Sequence, residues 1–252
     1  MIDTHCHLDA AEFDADREAV LAAAQAAGVS RVVVPGVAFA AFARQRRIVA
    51  DSPLCVAAYG IHPLYVDAAG DADLEHLASW VDAERPLAIG EIGLDFFVAG
   101  SDIERQTRFF VSQLKLARAL DLPVILHVRR AVDAVLRELR RVRVRGGIAH
   151  AFNGSPQQAA EFIKLGFKLG FGGAATYSGS TRIRALAAAL PVDAIVLETD
   201  APDIPPAWLN RGRNAPAELP RIAGEIAALR RMPVAALIAE VDKNAQAVLG
   251  VF

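Results

Sequence analysis

Eight short apolar or β-branched runs alternate with longer amphipathic stretches along this chain, the pattern that a parallel sheet with helical crossovers requires. The candidate strands are Ile2–His7, Arg31–Pro35, Cys55–His62, Leu87–Ile92, Pro123–His127, Gly147–Ala151, Phe167–Phe171 and Ala194–Glu198. Helix-like segments fall between them at Ala11–Ala27, Phe39–Asp51, Glu104–Leu120, Val132–Arg141, Pro156–Leu165 and Thr181–Leu190. Two more, Ala217–Arg231 and Pro233–Leu249, follow the last strand. Phe109, Leu114, Leu116, Ala117 and Leu120 recur on one helical face. Gly28 and Gly166 stand where helices should end, and Ser155-Pro156 where one should begin. No linker, low-complexity tract or further repeat interrupts the alternation. The expectation is an α/β fold, a (β/α)8 TIM barrel forming one domain over residues 1–252, with 54% hydrophobic residues to fill its core. A doubly wound open sheet competes. Eight strands, and the placement of polar residues, favour the closed barrel.

Five of the six histidines fall at or just after the end of a candidate strand, as do Glu91 and Asp200. In a (β/α)8 barrel those ends meet around one mouth, where active sites are built. His5 and His7 are spaced i, i+2, so both face one way, with Cα atoms roughly 6.5 Å apart. Cys6 between them points the other way and is excluded as a ligand. Glu91 interrupts the apolar run Ala88–Ile92, and a buried carboxylate needs a cation or strong donors. A salt bridge to a barrel arginine and a bridge between two metals both answer that need. Taken singly, His127 and His150 fit satisfied core histidines, and Asp200 fits a turn cap. Six such residues on five strands, all at one end, instead make a ligand set for two divalent ions. Such a pair, about 3.5–4 Å apart, shares a hydroxide and polarises a phosphoryl or carbonyl oxygen. Mixed histidine and carboxylate ligation suits Zn, Mn, Fe or Co, and admits Mg, which prefers oxygen. No Gly-x-Ser-x-Gly nucleophile motif or phosphate-cradling glycine loop competes.

Several segments together carry a resemblance that runs essentially end to end. They are Ile2-Asp3-Thr4-His5-Cys6-His7, Gly60-Ile61-His62-Pro63, Gly90-Glu91-Ile92-Gly93-Leu94-Asp95, Pro123–Arg129, His150-Ala151-Phe152-Asn153-Gly154 and Glu198-Thr199-Asp200-Ala201-Pro202. The chain resembles the TatD-related metal-dependent hydrolases, often called TatD DNases, within the amidohydrolase-like barrels. The resemblance implies one metal held by His5, His7, Glu91 and Asp200, and a second held by Glu91, His127 and His150, with Glu91 bridging. It further implies that Asp200 orients or deprotonates the attacking water, and that His62 and Arg129 face the substrate and contact its phosphate. A capping or rim role is the alternative for His62. Two departures bear on substrate preference: the family's usual Cys-Phe-Ser-Gly reads Ala151-Phe152-Asn153-Gly154, and Arg130 stands where an acid is common.

The expected activity is metal-dependent phosphodiester hydrolysis, trimming single-stranded DNA or RNA from the 3′ end as an exonuclease. The same metals acting on a carboxylic ester or amide, such as an aminoacyl ester of tRNA or a small lactone, form a second enzymatic reading. A catalytically dead barrel kept as a scaffold is a third, and it predicts a lost ligand where none is lost. The net charge of −2 gives no global basic excess for nucleic acid. The basic run Arg137–Arg145 should lie at the barrel bottom as solvated surface, and no row of exposed aromatics is expected. Arg211 and Arg213 of the loop Asp203–Asn214 could reach the mouth or simply face solvent. With no basic-then-apolar leader, no apolar run of membrane-spanning length and two cysteines read as reduced, a cytoplasmic location without an obligate protein partner is expected.

Overall fold

The eight runs pair in sequence order into one parallel sheet, in a computed structural model that describes residues 1–250. The strands are β1 (Ile2–Asp3), β2 (Arg31–Pro35), β3 (Cys55–Tyr59), β4 (Ala88–Asp95), β5 (Val124–Arg129), β6 (Gly147–Ala149), β7 (Phe167–Phe171) and β8 (Ile195–Leu197). The Thr4 N–H donates to the Leu197 carbonyl at 3.1 Å and the His7 N–H to the Ala201 carbonyl at 2.8 Å, joining the first strand to the last. The fold is a (β/α)8 barrel. Helices α1 (Arg17–Ala26), α2 (Phe42–Ala50), α3 (Ala72–Glu84), α4 (Ile103–Ala119), α5 (Val132–Arg141), α6 (Pro156–Lys164) and α7 (Thr181–Ala189) cross between successive strands. Two further helices, α8 (Leu219–Arg230) and α9 (Val234–Leu249), follow β8.

The differences from the sequence reading are local. Among the segments named there, none corresponds to α3, a helix that buries only Leu77 and Val81 and so writes a faint apolar stripe. The stretches opening at Ala11 and Phe39 begin as 3-10 turns and turn α-helical only at Arg17 and Phe42. The first strand is shorter than expected because the chain leaves the ladder after Asp3. The fully buried Asp3 carboxylate accepts the His5 N–H at 3.3 Å, the Thr199 N–H at 3.0 Å and the Thr199 hydroxyl at 2.6 Å. That knot ties β1 to the chain leaving β8.

One inward side chain from each of seven strands (Ile2, Val33, Ala58, Ala88, Ile125, Ile148 and Val196) forms the floor of the barrel, plugged from below by Ala245, Val248 and Leu249 of α9. Asn244 pins that helix, donating to the carbonyls of Val192 at 2.7 Å and Ile195 at 2.9 Å. Each large aliphatic removed from water there contributes about 1.5–3 kcal/mol. Period-two alternation then carries the inward face upward, from Ile125 to His127, from Ile148 to His150, and from Val196 through Glu198 to Asp200. On β4 the pairing register shifts between Ile89 and Ile92, so Ala88 and Glu91, three residues apart, both face inward. Gly93 lets β4 pass β5 at that point. Its φ is +150°, and a Cβ there would lie 2.0 Å from the His127 carbonyl oxygen.

Candidate metal centre

The ends of β1, β4, β5, β6 and β8 and the loop after β3 bring His5, His7, His62, Glu91, His127, His150 and Asp200 into one cluster at the barrel mouth. Glu91 is its hub, and it is buried with only 1% of its surface accessible. Its two oxygens face two different sets of donors. Oε2 lies 3.3 Å from His5 Nε2 and 3.5 Å from His7 Nε2. Oε1 lies 3.0 Å from His127 Nδ1, 3.1 Å from His150 Nε2 and 3.7 Å from His62 Nε2. Its salt-bridge partners among the described residues are all histidines, so the barrel-arginine reading of Glu91 does not hold.

The first donor set matches a small divalent cation. His5 Nε2 and His7 Nε2 face each other at 3.3 Å, and Asp200 Oδ1 lies 3.5 and 3.8 Å from them. Bonds of 2.0–2.1 Å in a tetrahedral site put neighbouring ligand atoms about 3.4 Å apart. Two imidazole nitrogens turned toward each other and toward two carboxylates are poorly satisfied by hydrogen bonds alone, since the nitrogens can share only one proton between them. The Nδ1 atoms of His5 and His150 are buried without hydrogen-bond partners. The cluster fits metal binding.

His62 differs from its neighbours. Its Nδ1 accepts the Leu64 N–H at 3.2 Å, capping the 3-10 turn Pro63–Tyr65. Burial pushes its pKa down to about 3, so the ring is neutral and the remaining proton sits on Nε2, aimed at Glu91. His62 therefore combines the capping role with an N–H donor in the cluster, and in this tautomer it offers no lone pair at Nε2.

The remaining ionisations follow from burial set against mutual charge. Burial alone would raise Glu91, but His5, His150 and His62 together with the His127 hydrogen bond hold it well below the carboxylate range. Burial lifts Asp200 to about 6 against the pull of His150 and His7. Burial also drives His5 well below the usual imidazole value. His7 overcomes burial through Glu91 and rises to about 9, and His150 rises well above 6.5 through Glu91 and Asp200.

Three acids that the sequence reading gave no role support the cluster. Asp95 Oδ2 sits 2.9 Å from His127 Nε2, while its Oδ1 accepts the N–H groups of Phe97 at 2.8 Å and Val98 at 3.3 Å. His127 thus lies between two carboxylates, an arrangement that orients a ligating imidazole. Glu198 Oε1 accepts the Ala151 N–H at 2.5 Å and lies 3.6 Å from His150 Nδ1. Gly170 makes room for it, since a Cβ there would stand 2.2 Å from Glu198 Oε2. Asp3, described above, is the third. Asp95 and Glu198 were visible as acids ending apolar strands, the same signal that marked Glu91.

Arg129 is exposed at the end of β5 with its guanidinium carbon 3.7 Å from the Phe97 ring centre. Arg213 does not turn into the mouth; it pairs with Asp16 and donates to the Glu12 carbonyl, and Arg211 is exposed. In the basic run, Arg140 pairs with Glu161, Arg141 with Glu138, and Arg145 donates to the Asp121 carbonyl. Tyr65, Phe97 and Tyr177 are exposed aromatics on the mouth loops after β3, β4 and β7, a feature the sequence reading did not anticipate. No helix is long and apolar enough to cross a membrane among the described residues.

Residues 2–250 match the family model of TatD related DNases. An uncharacterized metal-dependent hydrolase of Escherichia coli K12, YjjV, is 40% identical over 98% of this chain and 94% of its own length. The crystal structure of that TatD homologue superposes with a TM-score of 0.96 at 38% identity, covering 100% of this chain and 98% of that one. A protein of Klebsiella pneumoniae named 3′-5′ ssDNA/RNA exonuclease TatD is 32% identical over 100% of this chain and 98% of its own length. The chain belongs to the TatD family of metal-dependent hydrolases.

Proposed function

We propose that this protein is a two-metal phosphodiesterase that trims single-stranded DNA or RNA from the 3′ end. The observation that carries the reading is Glu91 with Oε2 turned to His5 and His7, which face Asp200, and Oε1 turned to His127 and His150. Relatives named 3′-5′ ssDNA/RNA exonucleases support the nucleic-acid part. Divalent ions (Zn, Mn, Fe, Co or Mg) held by His5, His7, Glu91, His127, His150 and Asp200 would lower the pKa of water and offset charge on the phosphoryl group.

The chain's own groups then have separate tasks. Asp200, lifted toward neutrality by its burial, accepts the proton of the attacking water at its carboxylate. Glu91 stays ionised and holds the donor sets together. His62 offers its Nε2–H to the non-bridging oxygens of the phosphate under attack, and Arg129 offers its fork of N–H donors to the phosphate backbone of the same strand. Asp95 keeps the His127 ring in place, and Glu198 sets its charge beside His150.

The test is incubation with 5′-labelled single-stranded DNA and Mg²⁺ or Mn²⁺, beside Asp200→Asn. Stepwise shortening from the 3′ end, abolished in the variant, is the expected result. DNA left intact under every divalent ion tested overturns the phosphodiesterase reading and directs the assay to esters and amides.

A further inference from the structure

Resting on the phosphodiesterase reading, we infer that Phe97, Arg129 and Arg130 form a second phosphate subsite, which grips a phosphate of the strand next to the one being cleaved. The Phe97 ring, 46% exposed, carries two guanidinium groups: Arg129 Cζ is 3.7 Å and Arg130 Cζ 4.7 Å from its centre. Consecutive residues of an extended strand point to opposite sides. Arg130 escapes that rule through a left-handed backbone, φ +55°, which turns the chain at the end of β5 so that both side chains reach one ring.

What holds these arginines decides what they can do. Among the described residues neither has a carboxylate or carbonyl partner, and the aromatic ring alone fixes them. Of the five other ring-stacked arginines, four also bind an oxygen: Arg46 on Glu84, Arg105 on the Val66 carbonyl, Arg108 on Asp71 and Arg213 on Asp16. A ring orients a guanidinium without neutralising it or using its N–H groups. Two such groups held by one ring, with their donors free, offer a site for a phosphate.

The subsite is also locked to the metal centre. Asp95 reaches His127 through Oδ2 and the Phe97 and Val98 N–H groups through Oδ1, so a single carboxylate ties the main chain that carries Phe97 to His127. Arg129 follows His127 by two residues on the same face of β5. Phe97 is a positioning residue in this scheme, and Arg130 supplies the additional charge.

The test compares phosphorothioate-linked thymidine dinucleotide and trinucleotide, with one and two phosphates, both resistant to hydrolysis during the measurement. Binding to the metal-loaded full chain is followed by fluorescence anisotropy over a range of salt. The expected result is at least tenfold tighter binding of the trinucleotide, with a salt slope steeper by about 0.7. Arg130→Gln and Phe97→Leu should abolish both differences. Phe97→Tyr, which keeps a ring, and Arg143→Gln, at the far end of the barrel, should preserve them. Equal binding of the two probes by the wild type, or discrimination surviving in Arg130→Gln and Phe97→Leu, overturns the subsite. These readouts need no turnover. Discrimination present and ring-dependent, in a protein that hydrolyses no phosphodiester, upholds the subsite and overturns only the catalytic reading.

Discussion

The floor and the mouth of this barrel are built by the same strands, a few residues apart, and they are opposite in kind. At the floor, seven inward aliphatic side chains and the end of α9 interdigitate with no charge among them. At the mouth, the same inward face carries histidines and carboxylates, with Glu91, Glu198 and Asp200 all buried. Burial of apolar surface stabilises the floor, whereas each buried carboxylate costs several kcal/mol until charge or donors compensate it. The floor holds the strands in register so that the mouth can keep charged groups 3–4 Å apart that would separate in a flexible chain. Metal binding at the mouth would convert that local cost into binding energy.

The largest expected effect comes from breaking the hub. Glu91→Gln keeps the shape and removes the charge that faces both donor sets. Hydrolysis should fall by about 10³-fold or more, and metal content after dialysis should drop. In metal-free buffer at neutral pH the variant should unfold at a lower urea concentration, because His7 and His150 owe their raised pKa values to Glu91. A variant that retains its metal and turns over at the wild-type rate would remove Glu91 from the centre. The converse experiment is Ile148→Ala, two residues below His150. It should cost about 2–4 kcal/mol in urea unfolding while metal affinity and turnover per folded molecule stay within about threefold. Equal damage to metal binding from this floor variant would show that the two layers are not separable.

This contrast also explains what could be read from the residues beforehand. An apolar run that ends in histidine or acid is visible in any sequence, and His127, His150 and Asp200 announce themselves that way. Residues distant along the chain could be placed together because the barrel's topology fixes where strand ends go. Glu91 needed more, since its inward direction depends on a register shift in β4 that no residue pattern displays. The helix α3 was faint because only two of its side chains are buried. Asp95, Glu198 and Asp3 stand within the strand-end motifs, but their tasks depend on which ring or N–H each one reaches, and that is set by packing. The Phe97–Arg129–Arg130 arrangement depends on a single left-handed residue.

A smaller effect tests whether the mouth needs its supporting acids. Asp95→Asn retains an oxygen for the Phe97 and Val98 N–H groups but no longer offers a carboxylate to His127. Metal affinity should fall about 10- to 100-fold, as when the outer partner of a ligating histidine is lost. The ¹⁵N shifts of the His127 ring should move as well. Unchanged ring shifts and unchanged metal affinity would limit Asp95 to holding its own loop.

The smallest effect belongs to the bottom end of the barrel and should ignore metal altogether. Cys55 opens β3, and burial pushes its thiol up to about 11 from an ordinary value of 9, partly offset by a hydrogen bond with Ser52. Its folded-state pKa lies above its unfolded one, so its contribution to stability is complete below pH 9 and disappears as pH rises through 11. At pH 10 the loss is about 1 kcal/mol for a gap of this size. Cys55→Ala should therefore lose less stability than wild type between pH 8 and pH 10, by about that amount, in urea titrations with or without chelator. If the two proteins fall equally, burial of this thiol does not govern the alkaline limb. If the difference appears only when metal is present, the bottom of the barrel is coupled to the mouth, and the separation between the two layers fails there.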